Sequence, residues 1–156
     1  MAEPVSIVAS VIAIIQISDR VINICRHYIS TMKDAPSDIQ TIVSEIATLK
    51  IIFERLEDLV KPDGCGSSQL VDVLTSDDGP IKGCHRSITQ LEALLSQDNS
   101  MAEGSKKRKL NLAALAWPLK QNKVNKLRAD MARYRDIVAL AINTESMYAL
   151  HISVSA

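Results

Sequence analysis

The chain has 156 residues, 47% apolar but only 3% aromatic, with 18 Lys/Arg balanced by 18 Asp/Glu. This length fits one domain, and the apolar share is enough for a core packed from aliphatic side chains. The 5 Gly and 5 Pro fall mostly between periodic stretches and strand-like alternation is scarce, which excludes a β-rich fold and points to an all-α bundle.

The balance hides an asymmetry. Residues 1–97 hold 8 Lys/Arg against 13 Asp/Glu, and residues 98–156 hold 10 against 5. Two readings stand side by side: the polarity orients the domain toward an acidic surface, or the two halves attract within the bundle.

The first predicted helix opens near Pro4, a favourable first-turn residue, and runs to about Met32. From Pro4 to Ser18 it is apolar almost all round, interrupted only by Ser6, Ser10, Gln16 and Ser18. The stripe then narrows to Val21, Ile22, Cys25, Tyr28, Ile29 and Met32. A helix apolar on every side is either enclosed by protein or placed in lipid. It is a poor signal peptide, since Glu3 precedes the apolar run and the first cation, Arg20, follows it. It is also a poor constitutive transmembrane helix. Residues 5–18 fall short of the roughly 20 apolar residues that cross a bilayer, and Asp19 and Arg20 end the run.

Lys33-Asp34-Ala35-Pro36 is a break, with Pro36 disfavouring helix at Ala35. The second helix is predicted over 37–60 with the stripe Ile39, Ile42, Val43, Ile46, Leu49, Phe53, Leu56 and Val60. Its Glu54, Glu57 and Asp58 read as surface charges, and Lys61-Pro62-Asp63-Gly64 stops it. A short helix follows at 68–74, with Leu70, Val71 and Leu74 inward. Pro80 then starts a helix to Ser96 whose Ile81, Cys84, Ile88, Leu91 and Leu95 form a bundle seam. Residues 97–109 read as a mobile linker ending in the cluster Lys106-Lys107-Arg108-Lys109. After a short apolar segment, Pro118 breaks or kinks the chain, and Trp117 is expected to fill the bundle end. The last helix is predicted over 119–148 with the stripe Val124, Leu127, Met131, Tyr134, Val138 and Ala141, followed by a weakly specified tail at 151–156. The expected architecture is four main helices in an up-down bundle with one or two short ones, forming one domain over 1–150.

Cys25, Cys65 and Cys84 are an odd count without disulfide spacing, as expected of reduced thiols in an intracellular protein that is not secreted. Neither these nor His27, His85 and His151 show zinc-ligand spacing, so no metal is expected. No P-loop, dinucleotide glycine motif, nucleophile elbow or HExxH appears. The reading is therefore non-enzymatic, without cofactor or small-molecule substrate. The basic cluster has three readings: a solvated face, a contact for anionic lipid, or a nuclear or nucleic-acid signal. Only Trp117 and Tyr134 accompany the cations, so base stacking is a weak idea and no nucleic-acid partner is expected.

Four pieces in order carry a resemblance. They are Glu3-Pro4-Val5-Ser6-Ile7-Val8-Ala9-Ser10, then Lys33-Asp34-Ala35-Pro36 with Ile39, then Cys84 on the third main helix, then Leu115-Ala116-Trp117-Pro118-Leu119-Lys120 before a long basic helix. With them the chain resembles the fungal HeLo-like N-terminal domains, found at the front of STAND/NLR-type proteins and of the azaphilone-cluster protein L family. The resemblance implies a bundle similar to the four-helix domain of the mixed-lineage kinase-like pseudokinase. It also implies a role in fungal cell-death or incompatibility signalling, in which helix 1 is released toward the plasma membrane from a cytoplasmic resting state. On that reading Val5, Ile7, Val8, Val11, Ile12, Ile14 and Ile15 insert, and Lys106, Lys107, Arg108 and Lys109 meet anionic headgroups. The alternative is an interaction module that oligomerises, or docks on a partner helical domain, without touching lipid.

Overall fold

Proline and glycine placement sets the helix boundaries. In the computed structural model α1 spans Pro4–Thr31, α2 Ser37–Val60, α3 Ser68–Thr75, α4 Pro80–Ser96 and α5 Lys106–Ser155. The structure describes residues 4–31, 37–61, 68–96 and 106–155, with side chains for 7–30, 37–61, 69–96, 120–147 and 150–155. Among the described residues there is no strand. The all-α expectation holds, with four long helices and one short one.

The predicted stripes are the faces that meet. Ile39, Ile42, Ile46, Leu49, Phe53, Leu56 and Val60 of α2 are buried, as are Ile81, Cys84, Ile88, Leu91 and Leu95 of α4. On α5 Val124, Leu127, Met131, Val138 and Ile142 are buried. Packing is cyclic: α1 lies on α2 and α4, and α5 lies on α4 and α2, while α3 touches α4 and α5. Each long helix thus packs mainly on two other long helices, with the core between all four.

Polar contacts between helices fix direction and register. Gln121 donates to Asp38 and Arg128 to Glu45, both at 2.8 Å and both across 83 residues, so α2 and α5 run parallel. Lys120 Nζ donates to the Leu94 carbonyl, whereas Gly83 faces Tyr134, so α4 and α5 run antiparallel. Because α2 and α5 are parallel neighbours, the chain between α2 and α4 crosses one end of the bundle, and α3 lies on that crossing. Gly79 makes the turn into α4: its N–H donates to the Ser76 carbonyl at 2.7 Å, and a side chain there would collide with the Leu74 and Ser76 carbonyls.

Three expectations about the second half need correction. Lys106–Lys109 open α5 rather than closing a linker; residues 97–105 lie outside the described residues. Helix continues through Pro118. An interior proline costs about 3 kcal/mol, and here the strong helix formers of Leu110–Trp117 and Leu119–Arg128 flank the one missing hydrogen bond. The tail is helical to Ser155, because no glycine or proline stands between Leu119 and Ser155 to stop it. At 50 residues α5 is about 75 Å long, and α2, at 24, about 36 Å. The 83-residue register sets Val60 level with residue 143, so the last three turns of α5 extend past α2. Among the described residues burial on α5 ends there too, at Ile142.

Candidate membrane-active helix and its docking

α1 is the longest stretch of apolar surface in the first half of the chain, and the bundle consumes most of it. Ile7, Val11, Ile14, Ile17, Val21, Ile22, Cys25 and Tyr28 are buried. Val8 and Ile15 are half-buried against the same core, and Ile12 is half-buried. The side chain of Val5 lies outside the described residues. Of the insertion candidates, Ile7, Val11 and Ile14 are therefore core residues in this state. Ser18, fully buried, keeps its hydroxyl satisfied by donating to the Ile14 carbonyl at 2.8 Å.

One stripe of α1 faces solvent. It reads Ala9, Gln16, Arg20, Asn23, His27 and Ser30, with Ile12 and Ala13 at its edge. The first turns of this stripe are apolar and the later ones polar, which is why the opening reads as apolar all round. Sequence reasoning did not separate this face from the core, although the recurrence of Ala9, Gln16 and Asn23 every two turns is its signal.

Two ion pairs join the middle of α1 to its neighbours. Asp19 meets Lys50 of α2 at 2.6 Å, and Arg20 meets Glu92 of α4 at 2.6 Å. The Glu92 hydrogen bond is the main cause of the raised Arg20 pKa, as the Asp19 bond is for Lys50. Both pairs are substantially solvent-exposed. Exposed pairs contribute at most about 1 kcal/mol each, against about 1.5–3 kcal/mol for each aliphatic side chain fully removed from water. Packing therefore holds α1, and the ion pairs set its register.

The span 7–30 is 24 residues long and passes for a membrane-crossing helix on length and composition. The strict apolar run is shorter because Asp19 and Arg20 interrupt it; apolar residues resume at Val21. These two charges would lie near mid-bilayer, at about 2.5–3.5 kcal/mol each.

The basic residues divide. Lys106–Lys109 are helical in backbone, and their side chains lie outside the described residues, as does that of Trp117. Arg128 forks onto Glu45 with two 2.8 Å hydrogen bonds, and this contact, helped by the charge of Arg135, holds the Glu45 carboxyl below its ordinary pKa. Lys120 caps the last turn of α4. Acidic and basic halves do attract within the bundle at these points. Lys123 and Lys126 instead line a groove against α4 with Arg86, a residue the sequence did not single out. Glu54, Glu57 and Asp58 are surface charges as expected, and they pair locally with Lys50 on α2 and Lys61 just after it.

Burial pushes the thiols of Cys25 and Cys84 up to about 12, so both stay protonated and unreactive in the closed bundle. Cys65 lies outside the described residues. Among the described residues no three His, Cys, Asp or Glu gather as a metal site would need.

Fold and site together define an all-α bundle domain whose interactions are packing and surface charge. Residues 2–155 match the family described as pigment biosynthesis cluster protein PigL N-terminal, and the chain belongs to that family. The likeness to the azaphilone-cluster protein L N-terminal domains is thereby borne out, and membership makes this a helical N-terminal domain of fungal cluster proteins. No curated protein and no solved structure matches the chain.

Proposed function

We propose that this domain is a non-enzymatic signalling module of the fungal cell-death or incompatibility type, whose α1 leaves the bundle on activation and enters a membrane. The observation that carries the reading is α1 itself. It is long and apolar enough for lipid, packs mainly on α2 and α4, and is held mainly by apolar contacts that a bilayer can replace. An anionic plasma membrane is the partner, reached from the cytoplasm, and Lys106, Lys107, Arg108 and Lys109 would make the first contact.

The test is dye leakage from anionic vesicles by the purified protein and its Ala9→Glu variant. Ala9 is exposed, so the substitution leaves the bundle intact while setting a charge on the inserting turns. Retained fold with lost leakage supports the proposal. Undiminished leakage by Ala9→Glu, or no leakage by the parent under any lipid or salt condition, refutes it.

A second reading, an oligomerisation or partner-docking module, is favoured by α5 beyond the bundle. Met147, Leu150, Ile152 and Val154 there are 71%, 64%, 52% and 81% exposed. A Leu150→Glu change that lowers the sedimenting mass without altering leakage would favour it.

A further inference from the structure

The groove between α4 and α5 has a built-in geometry that the α1 reading does not use. It opens a volume of about 570 Å³, within the usual range of ligand sites. It runs along α4 from the Gly83–Tyr134 approach toward Leu94, whose carbonyl accepts from Lys120. Between them Gly83 and Ser87 are too small to fill the space, which extends about three turns, roughly 16 Å, along α4.

The lining is amphipathic. Leu94, Leu127 and the Tyr134 ring offer apolar surface, while Arg86, Lys123 and Lys126 stand exposed at the rim. None of these three cations has an ion-pair partner among the described residues. Arg26 and Arg55 are likewise without an ion pair but do not line this groove, whereas Arg20, Lys50, Lys61, Lys82, Arg128, Arg133 and Arg135 are paired. The one carboxylate in the lining, Asp130, has Arg133 at 3.7 Å. Three unpaired cations beside an apolar floor complement a ligand with a compact anion at one end and hydrocarbon at the other.

We propose that this groove binds the phosphate headgroup of an anionic membrane phospholipid. Arg86, Lys123 and Lys126 meet the phosphate, and Leu94, Leu127 and Tyr134 receive the first carbons of the chain. A free phosphate would leave the apolar floor uncovered, and a neutral lipid would leave the cations unpaired. The inference deepens the membrane reading by naming its lipid contact, and headgroup binding requires no release of α1.

The test titrates the full chain with phosphatidylcholine vesicles carrying phosphatidic acid and measures co-sedimentation. Lys123→Gln with Lys126→Gln should weaken binding about 30-fold, at roughly one phosphate contact per charge. Lys61→Gln with Lys82→Gln, removing the same net charge elsewhere, should change it less than about threefold. Monomeric dibutyryl phosphatidic acid should compete with vesicles, and inorganic phosphate should not. Wild-type affinity in the groove variant, equal losses in both double variants, or competition by inorganic phosphate or an acidic peptide in place of the short-chain lipid would each overturn the proposal. Ala9→Glu separates the two ideas, since it should abolish leakage while leaving co-sedimentation intact. Wild-type affinity in the groove variant, with leakage by the parent that Ala9→Glu abolishes, would sink the groove alone.

Discussion

Replacing Gly83 by alanine probes how closely α4 and α5 pack. Gly83 has ordinary helical backbone, so it is there for space and not for conformation. A Cβ at this position would fall onto Tyr134 Cζ and lie 2.6 Å from Cε1 and Oη. Alanine in a helix interior is favoured over glycine by about 1 kcal/mol. Pushing the Tyr134 ring aside costs about 1–3 kcal/mol, the range for overpacking a formed contact. The net effect in the parent is a loss of about 0–2 kcal/mol, worth roughly 2–4 °C of Tm per kcal/mol at this size. In a Tyr134→Ala background the obstacle is gone, and the same substitution should stabilise by about 1 kcal/mol. Urea denaturation of the two single variants, the double variant and the parent gives the coupling directly, expected at about 1–3 kcal/mol. Coupling under about 0.5 kcal/mol would show that the two side chains do not compete for the same space.

Val11→Glu sets an unpaired charge at a fully buried position of α1 and should cost about 3–5 kcal/mol, visible as a large drop in the urea midpoint; an unchanged midpoint would place Val11 outside the core. Glu45, held below its ordinary pKa by Arg128, adds stability above the unfolded-state value of about 4.3, and that stability is lost as pH falls through the lower folded value. Glu45→Gln should therefore be less stable at neutral pH by up to about 1 kcal/mol and lose less between pH 5 and about 3; parallel stability profiles for the two proteins would refute this. With Cys65→Ser in place, Cys25 and Cys84 should react with a thiol reagent only at the rate of bundle opening, and fast labelling at neutral pH would contradict their burial.

The stripes of α2 and α4 were legible because each repeats at three and four residues between proline or glycine stops. Their predicted boundaries, 37–60 and 80–96, agree with the structure. α5 was not, since Pro118 is a strong local stop signal that the leucine and alanine runs around it override. The family likeness was legible from short motifs, whereas the solvent stripe of α1 and the meeting of Arg86 with Lys123 and Lys126 were not. Pairing α4 with α5 in antiparallel register is a long-range fact, and no spacing within either helix encodes it.

That register bears on what α1 release would leave behind. α1 touches α2 and α4, whereas α5 touches them from the opposite side through Glu45–Arg128, Asp38–Gln121 and the Gly83–Tyr134 approach. The α2–α5–α4 unit would therefore keep its own contacts if α1 departed, but would expose the apolar faces that α1 covers. Each aliphatic side chain so exposed costs about 1.5–3 kcal/mol in water, which favours the closed bundle there. On the proposed function the balance would change near a bilayer, because lipid would take up the apolar half of α1 before Asp19, and the Asp19–Lys50 and Arg20–Glu92 pairs lost on departure contribute at most about 1 kcal/mol each. The remaining cost lies on the uncovered faces of α2 and α4. A second copy, or the same lipid surface, has to cover them, so release of α1 and association of the remaining helices are expected to occur together.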